Sequence, residues 1–324
     1  MPQQVSPPQA PSFKKQSLVL HWLAEKRAKE KNIISPNPGH TEKRYFFHKP
    51  NHLLITYLIT KEMNIVVCIK QVPETSDVGW DPTTGSLIRE GVEGILNPND
   101  KNALEAALQI KEHHGGVITA ISMGPRQVED TLREALSMGA DKAILLSDRI
   151  FAGSDTLSTS YALHCAIKKI SPFDLIICGK ESWDAMTAQI GPQLSELLNL
   201  PQLTYATEIS IHNNSVRIKQ KTEGGVRMLE SSFPALITVE KEINQPRIPS
   251  MESIMNAYRD KEVQIWKNED LGEDITHFGL KGSPTQSRKV YSKKVQKGKV
   301  TMLEGKPDEV ARNLIQLLKQ KGLC

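Results

Sequence analysis

The stretch Leu175-Ile176-Ile177-Cys178-Gly179-Lys180-Glu181-Ser182-Trp183-Asp184-Ala185-Met186-Thr187-Ala188-Gln189-Ile190-Gly191-Pro192 decides how the chain is read. Leu175–Cys178 is a short apolar run stopped by glycine, the pattern of a strand buried on both faces. A largely small and polar segment follows. An amphipathic helix is then expected over Thr187–Leu198, closed before Pro201. A buried strand, an open loop and a helix in that order make one unit of an α/β protein.

The same unit recurs on the N-terminal side. Asn64–Lys70 reads as a buried strand, and Asn99–Glu112 as an amphipathic helix with Asn99 or Asp100 as N-cap. Val117–Met123 is a strand, Arg126–Met138 a helix stopped at Gly139, Ala143–Leu146 a strand and Asp155–Lys169 a helix. The alternation predicts a doubly wound, mostly parallel sheet with helices on both faces. Ligands of such sheets bind beyond the carboxyl ends of the strands, here Lys70–Thr75, Met123–Pro125, Ser147–Asp155 and Gly179–Thr187. Glycine and proline gather in these turns, although any α/β protein needs them there.

Further on, Thr204–Ile218 and Met228–Val239 alternate as an antiparallel pair, with Gly224-Gly225 near the turn. Ile254–Lys261 reads as a short helix and Glu262–Lys299 as polar loop. Pro307–Lys321 is a last amphipathic helix with Val310, Leu314, Leu317 and Leu318 on one face. The expected organisation is an extension over residues 1–62, a nucleotide-binding domain over 63–265, and an arm over 266–324. That arm either embraces a second subunit or packs back on its own domain.

Of the 324 residues, 39% are hydrophobic and 24% charged, an ordinary globular balance. The net charge of +4 is uneven. Residues 1–62 hold ten Lys/Arg against four Glu, which leaves 31 basic and 33 acidic side chains for the rest. The globular part therefore gives no reason to expect nucleic acid as a partner. No apolar run reaches the roughly eighteen residues of a membrane span, so stable membrane insertion is not expected. Cys68, Cys165, Cys178 and Cys324 form no C-x-x-C pair, which argues for reduced thiols in a cytosol. His113, His114, His164, His212 and His277 share no paired spacing on a helix face, so no metal site is expected. Ser17–Lys31 could form a basic helix, but Glu25 and Glu30 interrupt it and no cleavage site follows. The extension reads better as a variable addition, or as a start placed ahead of Met63.

Six motifs, in order, resemble the beta subunits of electron-transfer flavoproteins. They are Val67-Cys68-Ile69-Lys70-Gln71-Val72-Pro73, Leu96-Asn97-Pro98-Asn99-Asp100, Ser122-Met123-Gly124-Pro125, Ala135–Asp141, Gly179–Pro192, and Asn244–Met251 with its Arg247-Ile248-Pro249-Ser250 core. The resemblance implies a Rossmann-like fold of the adenine nucleotide alpha hydrolase type and a heterodimer with an FAD-carrying alpha subunit. It places nucleotide contacts at Cys68, at Asn97, Pro98, Asn99 and Asp100, at Met123, and along the loop from Gly179 to Ile190. It makes Arg247, Pro249 and Met251 part of a partner-recognition loop.

Ordinary members bind AMP in this subunit, whereas electron-bifurcating members bind a second FAD that receives hydride from NADH. Phe151-Ala152-Gly153-Ser154-Asp155-Thr156 resembles the bifurcating members and adds Asp155 and Thr156 to the expected site. Those members usually read Asp-Gly-Asp-Thr where this chain has Asp184-Ala185-Met186-Thr187. The bifurcating form implies ferredoxin as one acceptor and an acyl-CoA, enoyl-CoA or lactate-type dehydrogenase as the other, in the cytoplasm. The protein would then supply no catalytic acid or base. Two rivals are an AMP-binding structural subunit and a universal-stress-type adenine-nucleotide sensor. The latter would need a glycine-rich strand-to-helix turn late in the chain, and the nearest candidates, Gly272, Gly279 and Gly282-Ser283, sit in a polar arm instead.

Overall fold

The computed structural model describes residues 62–74, 93–285 and 300–323. Expectations placed on residues 1–61 lie outside them. The sheet is built from β1 (Met63–Cys68), β4 (Gly116–Met123), β5 (Lys142–Leu146), β6 (Leu175–Gly179), β7 (Gln202–His212), β8 (Ser215–Thr222), β9 (Gly225–Ser232), β10 (Ala235–Val239) and β11 (Val263–Trp266). Its order is β11-β5-β4-β1-β6-β10-β7-β8-β9. Pairing is parallel from β11 to β7 and antiparallel from β7 to β9. A separate antiparallel pair joins β2 (Gln71–Pro73) to β3 (Gly94–Leu96).

Helices α1 (Pro98–His114) and α2 (Val128–Met138) cover one face, and α3 (Thr156–Ile170) and α4 (Ile190–Leu198) the other. Strand alternation divides the core between them. Ile65 and Val67 of β1 pack with Leu104 and Leu132, while Val66 and Cys68 pack with Ala162 and Leu194. The chain winds outward from β1 through β4 to β5, then returns across the sheet to β6 on the other flank of β1. The topological switch point thus lies between β1 and β6, where Cys68, the last residue of β1, stands in register with Cys178.

Several expected boundaries move. The first helix opens at Pro98, with Asn97 as its N-cap, because proline suits a first helical position. The helix expected from Thr187 begins at Ile190, because Met186 and Ala188 take left-handed backbone (φ 51° and 53°). Thr204–Ile218 is not a single strand but β7, a turn and β8, and Met228–Val239 likewise divides into β9 and β10. Gly224-Gly225 joins β8 to β9, while β10 returns to the parallel part beside β6. Glu262–Lys299 is not all loop. Its first residues form β11, and α6 (Asn268–Leu271) and α7 (Gly279–Gly282) follow α5 (Met251–Arg259) and β11. The final helix α8 (Pro307–Gln320) buries none of its residues. No helix among the described residues is long and apolar enough to cross a membrane.

Candidate functional site

A crevice of about 1350 Å³ opens at the switch point, over the carboxyl ends of β1, β4, β5 and β6. Cys68 and Cys178 form its floor, and both are buried. Of the residues expected to touch a nucleotide, Cys68, Asn97, Asp100, Met123, Asp155 and Thr156 line the crevice, as do Gly179–Ser182, Ala185 and Thr187–Ile190. Pro98, Asn99, Trp183, Asp184 and Met186 do not line it. Trp183 and Met186 are exposed, at 51% and 66%.

The junction between β1 and α1 is fastened entirely within the chain. The Asp100 carboxylate accepts the Lys70 amide at 2.9 Å on one oxygen and the Gly179 amide at 3.1 Å on the other. It thereby ties the end of β1 to the end of β6. Burial pushes its pKa up to about 7, against the opposing pull of the side-chain bond to Asn97 and the two amides. The Asn97 side chain donates to the Glu181 carbonyl (3.0 Å) and accepts from the Trp183 amide (3.1 Å), and Asn99 donates to the same carbonyl (2.9 Å). Lys70 Nζ reaches Asp184 at 2.5 Å and Ser182 Oγ at 3.2 Å. Lys180 Nζ lies 3.4 Å from Glu240. These contacts hold the loop 180–184 in place. Gly179 cannot be larger, because a Cβ there would collide with the Asp100 carboxylate and with Asn99.

The junction between β6 and α4 is the opposite case. The amides of Thr187, Ala188, Gln189 and Ile190 meet no acceptor among the described residues. Left-handed Met186 and Ala188 flank Thr187, and the open amides that follow are donors of the kind an anion accepts from. The N-terminus of α4 adds its partial positive charge. Gln189 keeps its amide donor while its oxygen accepts from Thr156 Oγ1 at 2.9 Å, and Gln193 donates to the same hydroxyl at 3.2 Å.

Asp155 is occupied by its own chain. One carboxylate oxygen caps α3 through the Ser158 amide (3.0 Å), and the other accepts the Thr285 amide (3.0 Å). The far wall includes Asp148 and Arg149, within the strand-end loop 147–155 expected at the crevice, and Lys267, Glu269 and Thr285, not expected from sequence. The signal for Lys267 and Glu269 was the short alternation Val263-Gln264-Ile265-Trp266 just before them, which places them at a strand end. Among the described residues, no group of three or more His, Cys, Asp or Glu is placed to hold a metal ion.

Arg247, expected to face a partner, is held internally. Its guanidinium meets buried Glu105 at 2.8 Å and Glu112 at 2.6 Å, and these carboxylates hold its pKa above the ordinary value. It anchors the loop from which Ile248 (93% exposed) and Met251 (73% exposed) project, beside Pro249 and the Ser250 cap of α5.

Residues 84–271 match the family model of the electron transfer flavoprotein domain. The chain is similar to the electron transfer flavoprotein subunit beta of Clostridium acetobutylicum, at 45% identity over 80% of this chain and 99% of the relative. It is similar to the caffeyl-CoA reductase-Etf complex subunit CarD of Acetobacterium woodii, at 44% identity over 81% of this chain and all of the relative. It is also similar to protein FixA of Azorhizobium caulinodans, at 44% identity over 75% of this chain and 89% of the relative.

Proposed function

The chain belongs to the electron transfer flavoprotein family as a beta subunit, partner to an alpha subunit and a dehydrogenase, and from that premise we propose that its crevice holds FAD in a bifurcating complex. In this reading NADH is the donor, ferredoxin takes one electron, and a partner dehydrogenase takes the other through the alpha-subunit FAD. The observation that carries the reading is the extent of the crevice. At about 1350 Å³ it exceeds the roughly 300–1,000 Å³ of an ordinary small-ligand pocket, and it reaches both flanks of the switch point. That is room for a dinucleotide.

The residues present fit the group. The open amides of Thr187–Ile190, with the Thr187 hydroxyl, would hold a diphosphate by neutral donors and a helix terminus. Cys68 and Cys178 give a small, apolar floor for an adenine. Phe151, Met123 and Leu163 line the crevice with apolar surface that excludes water. When bound, the flavin supplies the acceptance of electrons in pairs and their release singly. The chain's own part is to bind and orient it, and no side chain is assigned the role of acid or base. The resemblance to the caffeyl-CoA reductase complex favours a CoA-thioester dehydrogenase over a lactate-type one. Ile248, Met251 and Tyr258 are the exposed apolar groups to meet it, in the cytoplasm.

A second reading, AMP in place of FAD, is favoured by Met186. The side chain standing where bifurcating members carry a carboxylate is apolar, exposed and left-handed. Denaturing extraction of nucleotide from the complex with its alpha subunit separates the two. Two FAD per heterodimer is the expected outcome, whereas one FAD with one AMP would replace bifurcation by the simple electron shuttle.

A further inference from the structure

The crevice has a wall that comes from the far end of the chain. Beyond β11 the backbone runs through α6 to a short helical turn at Ile275–His277 and on to α7, and it lies against the loop 148–156. Phe278 is only 1% exposed, edge-on to Phe151 at 5.2 Å and 5.5 Å from the ring of Tyr161. Gly279 takes left-handed backbone (φ 58°) so close to the Ile150 carbonyl that a Cβ would collide with it, and its amide donates to Ser154 Oγ at 3.2 Å. Ser158 Oγ donates to the His277 carbonyl at 3.2 Å. Ser283 is buried despite its polar surroundings in sequence. Its hydroxyl accepts the Asp155 amide at 2.8 Å and donates to the Gly279 carbonyl at 2.7 Å. The Asp155 carboxylate completes the exchange by accepting the Thr285 amide at 3.0 Å.

We propose that residues 275–285 are an integral part of the nucleotide site, fastened to its rim by a reciprocal Asp155–Ser283–Thr285 latch in which Asp155 and Ser283 are positioning residues. The inference rests on the reading of the crevice as an adenine-nucleotide site. The connection to bound nucleotide runs one residue further. Thr156, next to Asp155 and first in α3, donates to Gln189 in the open amide cradle. Closing the latch fixes the start of α3, which fixes Thr156, which orients Gln189. Opening it removes Thr285 from the crevice wall and frees Thr156 to turn away. A ligand that contacts both the cradle and this wall binds the closed form more tightly, and by linkage stabilises it. Further along the chain lies α8, which buries none of its residues fully.

The test compares Thr285→Pro, which removes the amide that donates to Asp155, with Thr285→Ala, which keeps it. Both are prepared as the complex with the alpha subunit, with AMP and FAD as probes. Loss of one bond to a carboxylate predicts a dissociation constant about tenfold weaker for Thr285→Pro than for Thr285→Ala, so that any effect of the wall side chain itself is common to both variants. Ser283→Ala, which opens the latch without introducing proline's backbone constraint, should repeat the Thr285→Pro result. Saturating nucleotide should also slow amide exchange at Phe278–Gly282 in the wild type and not in Thr285→Pro. Wild-type affinity in both Thr285→Pro and Ser283→Ala, or exchange at Phe278–Gly282 indifferent to nucleotide, would overturn the latch alone. A wild-type complex that takes up neither AMP nor FAD would overturn the nucleotide site, and the latch with it.

Discussion

Two loop-to-helix junctions flank the switch point, and they are built on opposite terms. At Asn97–Asp100 the Asn97 and Asp100 side chains are buried and the polar contacts close within the chain: Asn97 holds the backbone of Glu181 and Trp183, half-buried Asn99 holds Glu181 as well, and Asp100 holds the amides of Lys70 and Gly179. At Thr187–Ile190 the backbone amides are left open, and the conformation that opens them requires two non-glycine residues in left-handed backbone. The first junction is a fastener, and in the proposed reading the second is the receptor. Motifs of similar appearance, each a polar loop entering a helix, thus divide the work of making a site between rigidity and vacancy. Substitutions at the two should therefore fail in different ways.

The largest effect belongs to the fastener. Asp100→Ala leaves the Lys70 and Gly179 amides without acceptors in a buried place, at about 1–3 kcal/mol each. Unfolding in guanidinium should show a loss of roughly 3–5 kcal/mol. A loss under about 1 kcal/mol would mean that the two strand ends are held by something else.

A pH dependence follows from the same carboxyl. Its folded pKa is about 7, above the unfolded value of 3.8. Between those values the native state keeps a proton that the unfolded chain has released. Its contribution is complete below about pH 4 and is lost as pH rises through about 7. The nucleotide-free chain should lose stability over that window, by an amount on the order of a few kcal/mol. Asp100→Asn should flatten the slope; a slope of the same size in that variant would assign it to other groups.

The receptor should fail without unfolding. Thr187→Val together with Gln189→Leu removes side-chain donors that the sheet does not use. Nucleotide affinity should fall by about ten- to a hundredfold, while the unfolding midpoint stays close to wild type. Unfolding in step with nucleotide loss would erase the distinction between the two junctions.

Much of this was legible in the sequence. The apolar runs at Asn64–Lys70 and Leu175–Cys178 located the two central strands, because a strand buried on both faces must be apolar throughout. The loops at their ends then located the crevice. The roles of individual residues were not legible. Asn97 and Asp100, expected at the nucleotide, do line the crevice, but that they also bind the backbone of a loop far along the chain is something no local pattern announces. The start of α4 was placed early because Met186 and Ala188 carry none of the glycine that marks left-handed backbone. β11 escaped notice because its alternation runs for only four residues, of which Val263 alone is buried, too short to stand out between charged flanks. With it went Lys267, Glu269 and Thr285, the wall contributed by the arm.

The smallest predicted effect is the most pointed. Ala188 takes φ 53° at a cost on the order of 1 kcal/mol, a conformation that glycine adopts freely. Ala188→Gly removes that cost but gives the unfolded chain more freedom, so a net gain of only about 0.5 kcal/mol in stability is expected. The cradle gains freedom too, since glycine no longer excludes the alternatives that would scatter its amides. Nucleotide should then bind about twofold more weakly to a slightly more stable protein. The two changes should have opposite signs, which at a fastening residue such as Asp100 they cannot. If both fell together, the left-handed turn at Ala188 would be structural, and the contrast between the junctions would hold only for their side chains.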